Sequence, residues 1–292
     1  MVLSTAGINN SFFTSELTLT NRGRFDATLH FSYKGSSEFG GGGGTAADTL
    51  RAGRQRIVPD AIAYLKSLGI PIPDAGSRLG TLALRVSGAD VRTVSATVRT
   101  TTAVAGGRAG LAYSSLRPSM LLNGPVTLVG LRQNATDRSN VALQHAGTPI
   151  EGDITLRLTV FAGDRTGAKG SWLETLSPGE FRQITEILAR DGVNLGQGFV
   201  RVERVAGVGS YYAYAVINDQ VTSDGSFIWP RPDEGADGES GFLLPVVVET
   251  SAFSTELMMA NWSNENRTGA VSVFRRCRPG KVCKLPDGLE AQ

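Results

Sequence analysis

His30 and His145 are the only histidines in this sequence, and Cys277 and Cys283 the only cysteines. Base-assisted or thiol chemistry would therefore have to be built around these four side chains. His30 lies in DATLHFSY, a run of alternating character, on the face opposite Leu29 and Phe31. His145 follows a strand-like run and takes the place that Asn21 and Asn261 hold in related stretches, where a turn-forming hydrogen bond is expected. Both histidines read as structural. No G-x-S-x-G elbow occurs and no serine stands beside a histidine in a triad-like pattern. The glycine run Gly40–Gly44 lacks the Gly-Lys-Ser/Thr ending of a phosphate loop, so it reads as an insertion-tolerant turn. Glu16 recurs as Glu256, but Asn140 stands at the middle copy. Asp60 and Glu186 both fall where the first turn of a helix is expected, a position that favours acids. These residues predict no catalytic group and no cofactor.

Two places could hold an ion or a crosslink. Asp233, Glu234, Asp237 and Glu239 bring several carboxylates together, without the twelve-residue spacing of an EF-hand. They are a weak calcium candidate, a solvated linker is the plainer reading, and no metal site is assigned. Cys277 and Cys283 flank RPGKV, in which Pro279-Gly280 suits the centre of a type II turn. A disulfide across that hairpin is expected, with two free thiols as the alternative; the bond fits an oxidising, extracellular setting. The aromatics Tyr211, Tyr212, Tyr214, Phe227 and Trp229 could form a sugar-stacking platform. A place in a core or at a junction between units is the simpler account.

The elements around these residues recur. SFFTSELTLTN (Ser11–Asn21) aligns without a gap to SAFSTELMMAN (Ser251–Asn261), and DRSNVALQHAG is a weaker copy between them. Runs of β-rich sequence precede each copy: MVLSTAGI, PVTLVGLR and PVVVETSA. Alternating strands follow: DATLHFSY, DITLRLTVF and GAVSVFRR. Then come TLRAGRQRIVPDAIAYLKSLG and TLSPGEFRQITEILARDG, each with a glycine turn (Gly53, Gly179) and the pattern of a short helix ending at Gly69 or Gly192. Further strands close each unit, with Tyr212, Tyr214 and Val216 sharing one face. The expected fold is mainly β: tandem Ig-like, Greek-key β-sandwiches, each with one short helix. The expected organisation is a first unit over 1–116, a linker over 117–124, a second unit over 125–230, and an acidic glycine-rich linker over 231–241. A partial third unit occupies 242–292. The aligned pairs Leu17 with Val141, Leu29 with Leu156, Leu50 with Leu176 and Ile62 with Leu188 should occupy equivalent cores.

Composition narrows the function classes. The 292 residues are 41% hydrophobic, enough for ordinary cores, and carry a net charge of +2 with both signs interspersed. No electrostatic footprint for nucleic acid is visible, and the excess of Arg over Lys reads as compositional habit. No apolar run approaches the roughly 20 residues of a membrane span. MVLSTAGINN lacks the basic and apolar regions of a signal peptide, so a secreted protein would be represented by a mature form or an excerpt.

RIVPDAIAYLKSLGIPIP, GRAGLAY, GLRQNATDRSNVALQ, YYAYAVINDQ with SDGSFIWP, and LPVVVETSAFSTEL together resemble the tandem β-sandwich repeat modules of large secreted or cell-surface bacterial proteins, particularly of acidobacterial-type genomes. The resemblance implies an extracellular repeat protein without catalytic residues. The expected function is structural or adhesive, with a carbohydrate- or ligand-binding module as the alternative. Leu257, Met259, Val271 and Val273, in the partial third unit, are expected to form an apolar edge. That edge would recruit a second copy by strand addition, as a homo-oligomer or head-to-tail filament. An extracellular glycan or protein is the other expected partner.

Overall fold

Alternation of apolar and polar residues builds most of the chain into antiparallel strands, because period-two patterning puts one face on a core and the other in water. The computed structural model describes residues 1–8, 10–164, 167–232, 247–261 and 268. Contacts divide it into two units, Met1–Leu243 and Leu244–Gln292.

The first unit holds two β-sandwiches. The first sandwich comprises β1 (Val2–Ala6), β2 (Phe12–Asn21), β3 (Ala27–Gly35), β4 (Gly43–Leu50), β5 (Gln55–Val58), helix α1 (Ala61–Ser67), β6 (Arg78–Ser87), β7 (Val94–Val104) and β8 (Gly107–Ser114). The second comprises β9 (Val126–Arg132), β10 (Asp137–His145), β11 (Ile154–Ala162), β12 (Ala168–Leu176), β13 (Phe181–Ile184), β14 (Gln197–Ala206), β15 (Tyr211–Asp219), β16 (Gly225–Ile228) and β17 (Arg231–Pro232).

Strand order is the same in both. The order β4-β3-β6-β1 corresponds to β12-β11-β14-β9, and β5-β2-β7-β8 to β13-β10-β15-β16. In the first sandwich the β1–β2 pairing joins both runs into one eight-stranded sheet, whereas the second keeps two sheets and adds β17 beside β9. Register matches residue by residue. Leu17 lies opposite Val58 and Val98, as Val141 lies opposite Ile184 and Ala215. Leu29 lies opposite Asp48, as Leu156 lies opposite Glu174. The expected pairs Leu17/Val141, Leu29/Leu156, Leu50/Leu176 and Ile62/Leu188 are all buried, the first of each pair in one core and the second in the other. Full burial of such side chains contributes about 1.5–3 kcal/mol each. The tight turns at Gly53 (φ 67) and Gly179 (φ 76) also coincide, each needing the left-handed region that glycine enters without strain.

One expected element differs. The first sandwich has its helix, capped by Asp60, whose Oδ1 accepts the Ala63 N–H at 2.9 Å. The second has no α-helix at the corresponding place, only turns and a single 3-10 turn at Arg190–Gly192. The residue at the Asp60 position is Glu186, whose longer side chain caps poorly. Its backbone sits at φ 50, and its N–H goes to Asn140 Oδ1 at 3.1 Å. The next N–H, of Ile187, bonds Ser139 O at 3.0 Å, so this segment is tied to strand β10 with Glu186 outside the right-handed helical region. Ile187 and Leu188 are still buried in the second core. The apolar stripe survives the loss of the helix.

A third apolar cluster joins the two sandwiches. Tyr212, Tyr214 and Ala142, on the outer face of the β13-β10-β15-β16 sheet, pack with Leu3, Leu79, Met1, Phe13 and Tyr113 of the first sandwich. Leu116, Leu121 and Leu122, between the sandwiches, pack into the same cluster.

Candidate functional site

The most connected polar constellation lies where edge strand β4 faces β5, and β12 faces β13. In the first sandwich Asp48 on β4 pairs with Arg56 on β5, and the hydroxyl of Tyr64 on α1 donates to Asp48 Oδ2 at 2.5 Å. In the second, Glu174 on β12 pairs with Arg182 on β13 at 2.8 Å and with Arg190 at 2.9 Å. Register puts Glu174 at the place of Asp48 and Arg182 at the place of Arg56. This carboxylate–guanidinium clasp closes the side of each sandwich that the short edge strands leave open. Burial opposes ionisation of Asp48, but the Tyr64 hydroxyl, the Thr49 N–H and the Arg56 guanidinium hold its carboxyl below the ordinary value. Burial, then the neighbouring Asp48 carboxylate, pushes the Tyr64 phenol up to about 12.

In the second sandwich the clasp extends to the junction. Arg182 also reaches Glu180 at 3.3 Å and Glu38 of the first sandwich at 3.4 Å. Ser37 donates to Glu180 Oε1 at 2.9 Å, and Lys34 Nζ donates to Pro178 O at 2.6 Å. Burial raises the Glu180 carboxyl, but the Ser177 N–H, the Ser37 hydroxyl and Arg182 outweigh it and hold it low. Every carboxylate here is answered by a cation or a donor, an arrangement that locks geometry. The spacing of eight residues is common to Asp48/Arg56 and Glu174/Arg182, a signal that comparison of the two units contains.

His145 serves the backbone, and His30 meets a side-chain hydroxyl. His145 is buried, accepts the Gly147 N–H through Nδ1 at 2.9 Å, and lies 2.9 Å from Gly152 O through Nε2. Gly152 O can only accept, so Nε2 carries the proton. Asn21 takes the Gly23 N–H on Oδ1 at 2.9 Å and donates from Nδ2 to Phe25 O at 2.9 Å. His30 is exposed and lies 2.9 Å from the Ser87 hydroxyl across β3 and β6.

A hydroxyl recurs at the corner where the first strand of each sandwich passes to its second, and at a turn in the Leu244–Gln292 unit. The Leu3 N–H donates to Ser15 Oγ at 2.9 Å, and the Arg132 N–H donates to Ser139 Oγ at 2.8 Å. In the Leu244–Gln292 unit the Val248 N–H donates to Thr255 Oγ1 at 2.7 Å. The turns before these hydroxyls match as well. Asn134 N–H bonds Asp137 O at 2.9 Å, and Thr250 N–H bonds Phe253 O at 2.7 Å. The side chains of Asn134 and Thr250 in turn accept the N–H groups of Asp137 (2.7 Å) and Phe253 (3.0 Å).

The aromatic residues fall into three places. Tyr211 points into the second core and donates to Gly124 O at 2.7 Å. Tyr212 and Tyr214 are buried at the junction; Tyr214 stacks on Phe227 at 4.9 Å, and Tyr113 from the first sandwich meets Tyr214 edge-on at 5.8 Å. Trp229 remains half-exposed beside Phe227. A continuous sugar platform is therefore not presented by this row.

Leu257 is 45% and Met259 71% exposed, although their counterparts Leu17, Leu19, Val141 and Leu143 are buried. Val271 and Val273, the acidic group Asp233, Glu234, Asp237 and Glu239, and the pair Cys277 and Cys283 lie outside the described residues. Among the described residues no cluster of His, Cys, Asp and Glu could hold a metal ion, and no helix is long and apolar enough to cross a membrane. No family model matches the chain, and no curated protein matches it.

Proposed function

We propose that this chain is a non-enzymatic structural or adhesive protein of the extracellular space, built as a tandem array of β-sandwich modules of bacterial surface-protein type. The observation that carries this reading is the threefold recurrence of one corner: Leu3 with Ser15, Arg132 with Ser139, and Val248 with Thr255. What recurs is hydrogen bonding that fixes strands in place, and the single buried histidine is bonded only to backbone. A disulfide between Cys277 and Cys283 and the extracellular setting belong to the same proposal. Titration of thiols in the unfolded, unreduced chain tests them, and two reactive thiols would speak against both.

Self-assembly is part of this reading. The third unit offers Leu257 and Met259, exposed where the other units bury their counterparts, to a second copy. Size-exclusion chromatography and negative-stain microscopy of the full chain, beside a chain ended at Gly241, separate the outcomes. Association of the full chain that is lost on truncation supports assembly. Unchanged association, with a less stable second sandwich, refutes it. The alternative reading, a carbohydrate-binding module that uses the Tyr212–Trp229 aromatics, is weakened by the burial of Tyr212 and Tyr214.

A further inference from the structure

The loops at one end of the first sandwich carry positive charge that no carboxylate answers. The turns Arg22–Asp26, Arg51–Arg54 and Gly88–Thr93 converge there. The Asn21 N–H bonds Arg54 O at 2.8 Å, the Arg22 N–H bonds Thr93 O at 2.8 Å, and the Ala52 N–H bonds Asp26 Oδ1 at 2.8 Å. Arg22, Arg24, Arg51 and Arg54 are exposed, and none of them forms an ion pair among the described residues. Of the acids present, Asp26 is turned to the backbone and Asp90 is paired with Arg92 at 2.7 Å. Phe25, between these arginines, is 72% exposed. A cleft of about 450 Å³ at this end is lined by Thr49, Leu50, Arg51, Arg54, Gln55 and Arg56.

The corresponding end of the second sandwich is where the first one sits, through Pro178 and Glu180. Register places Arg54 at the position of Glu180, and Gln55, Ser95 and Thr97 at those of Phe181, Tyr212 and Tyr214. The end that receives a sandwich in one case is polar and cationic in the other, so another module of this kind would find no apolar face to land on. We propose that this pole binds an acidic polysaccharide, a chain carrying carboxylate or sulfate groups. Arg51 and Arg54 hold one acid group in the cleft, where Gln55 and Thr49 meet sugar hydroxyls. Arg22 and Arg24 take acid groups further along the chain, and the ring of Phe25 offers its face to sugar C–H bonds. The cleft has the size of a site for one small ligand residue, about 300–1,000 Å³. A cleft beside Arg51 and Arg54 suits a chain with discrete acid groups better than a flat lipid surface. The proposal goes beyond the array reading and does not depend on it.

Binding of the full chain to polygalacturonate, heparin, neutral dextran and phosphatidylserine vesicles tests this, with Arg51→Gln/Arg54→Gln and Arg22→Gln/Arg24→Gln as variants and Arg108→Gln as a control. All these side chains are exposed, and thermal melts check that each variant folds. We expect binding to at least one acidic polysaccharide and none to dextran. The loss should be about tenfold in each double variant, with little change in the control. Affinity should fall as salt shortens the screening length. Absence of binding to both acidic polysaccharides, equal losses in the control, or binding confined to vesicles overturns the proposal.

Discussion

Asn21 and His145 stand at the same corner of their sandwiches and make the same two hydrogen bonds through different atoms. Each accepts the N–H of the glycine two residues on, and each donates to the carbonyl two residues before the third strand of its sandwich begins. The intervening loop is longer in the second sandwich, and the imidazole still reaches the matching carbonyl.

Because an amide can do the work of this imidazole, His145→Asn should keep most of the stability that His145→Ala loses. The alanine variant leaves the Gly147 N–H and Gly152 O unanswered in a buried corner, at a cost of about 1–3 kcal/mol. Urea denaturation of both variants decides it. Equal losses would mean that the two side chains are not interchangeable.

The two clasps should differ in strength. Arg182→Ala strips the nearly buried Glu180 of its cation and leaves Glu174 with Arg190 alone, so a loss of about 3 kcal/mol is expected. Arg56→Ala leaves the more open Asp48 with the Tyr64 hydroxyl, and about 1 kcal/mol is expected. Chemical denaturation that ranks them the other way would place the weight of the fold on the first clasp.

The junction can be rewritten with the first sandwich's own residues. Tyr212→Ser with Tyr214→Thr reproduces Ser95 and Thr97 on a face now covered by Met1, Leu3 and Tyr113. The two sandwiches should then melt separately in scanning calorimetry. Each truncated aromatic should cost about 3–5 kcal/mol of the coupling. A single, unshifted transition would show that the polar bridges through Lys34, Ser37 and Glu38 hold the pair alone.

Alkali should open the same junction. Burial pushes the Tyr113 and Tyr212 phenols from 10.0 up to about 12, and Tyr214 well above its ordinary value. With the folded values raised, the stabilisation is complete below pH 10.0 and is lost as pH climbs through about 12. Phenolate absorbance and circular dichroism should therefore change together in that window. Phenolate appearing near pH 10 from a fully folded protein would contradict the burial of these rings.

Much of the architecture was legible because strands announce themselves locally. Leu17, Leu29 and Leu156 sit in runs whose alternation needs no partner to be recognised. The missing second helix turned on Glu186, where a proper apolar stripe hid a poor cap and a side chain on another strand captured the free N–H. The clasps escaped notice because Asp48 and Arg56, like Glu174 and Arg182, lie on strands that do not pair with each other, and only the closed sandwich shows that those edges touch. The cationic pole was hidden by averaging. Arg24, Arg51 and Arg54 are scattered along the chain, and folding gathers them at one end while Asp26 is engaged by the Ala52 N–H and Asp90 by Arg92.

The hydroxyl corner also bears on the order in which the chain acquires structure. Val248 and Thr255, like Arg132 and Ser139, are seven residues apart, whereas Val2 and Gly80 pair across most of a sandwich. Loops of about ten residues close in 10–100 ns, and distant pairings must wait for far greater losses of chain freedom. A nascent chain leaving the ribosome can therefore set the first two strands of the second sandwich, and the turn before Thr255, in place before the rest has emerged. Each such corner is a low-contact-order seed, so neighbouring domains can begin to fold in succession instead of competing for one another's strands.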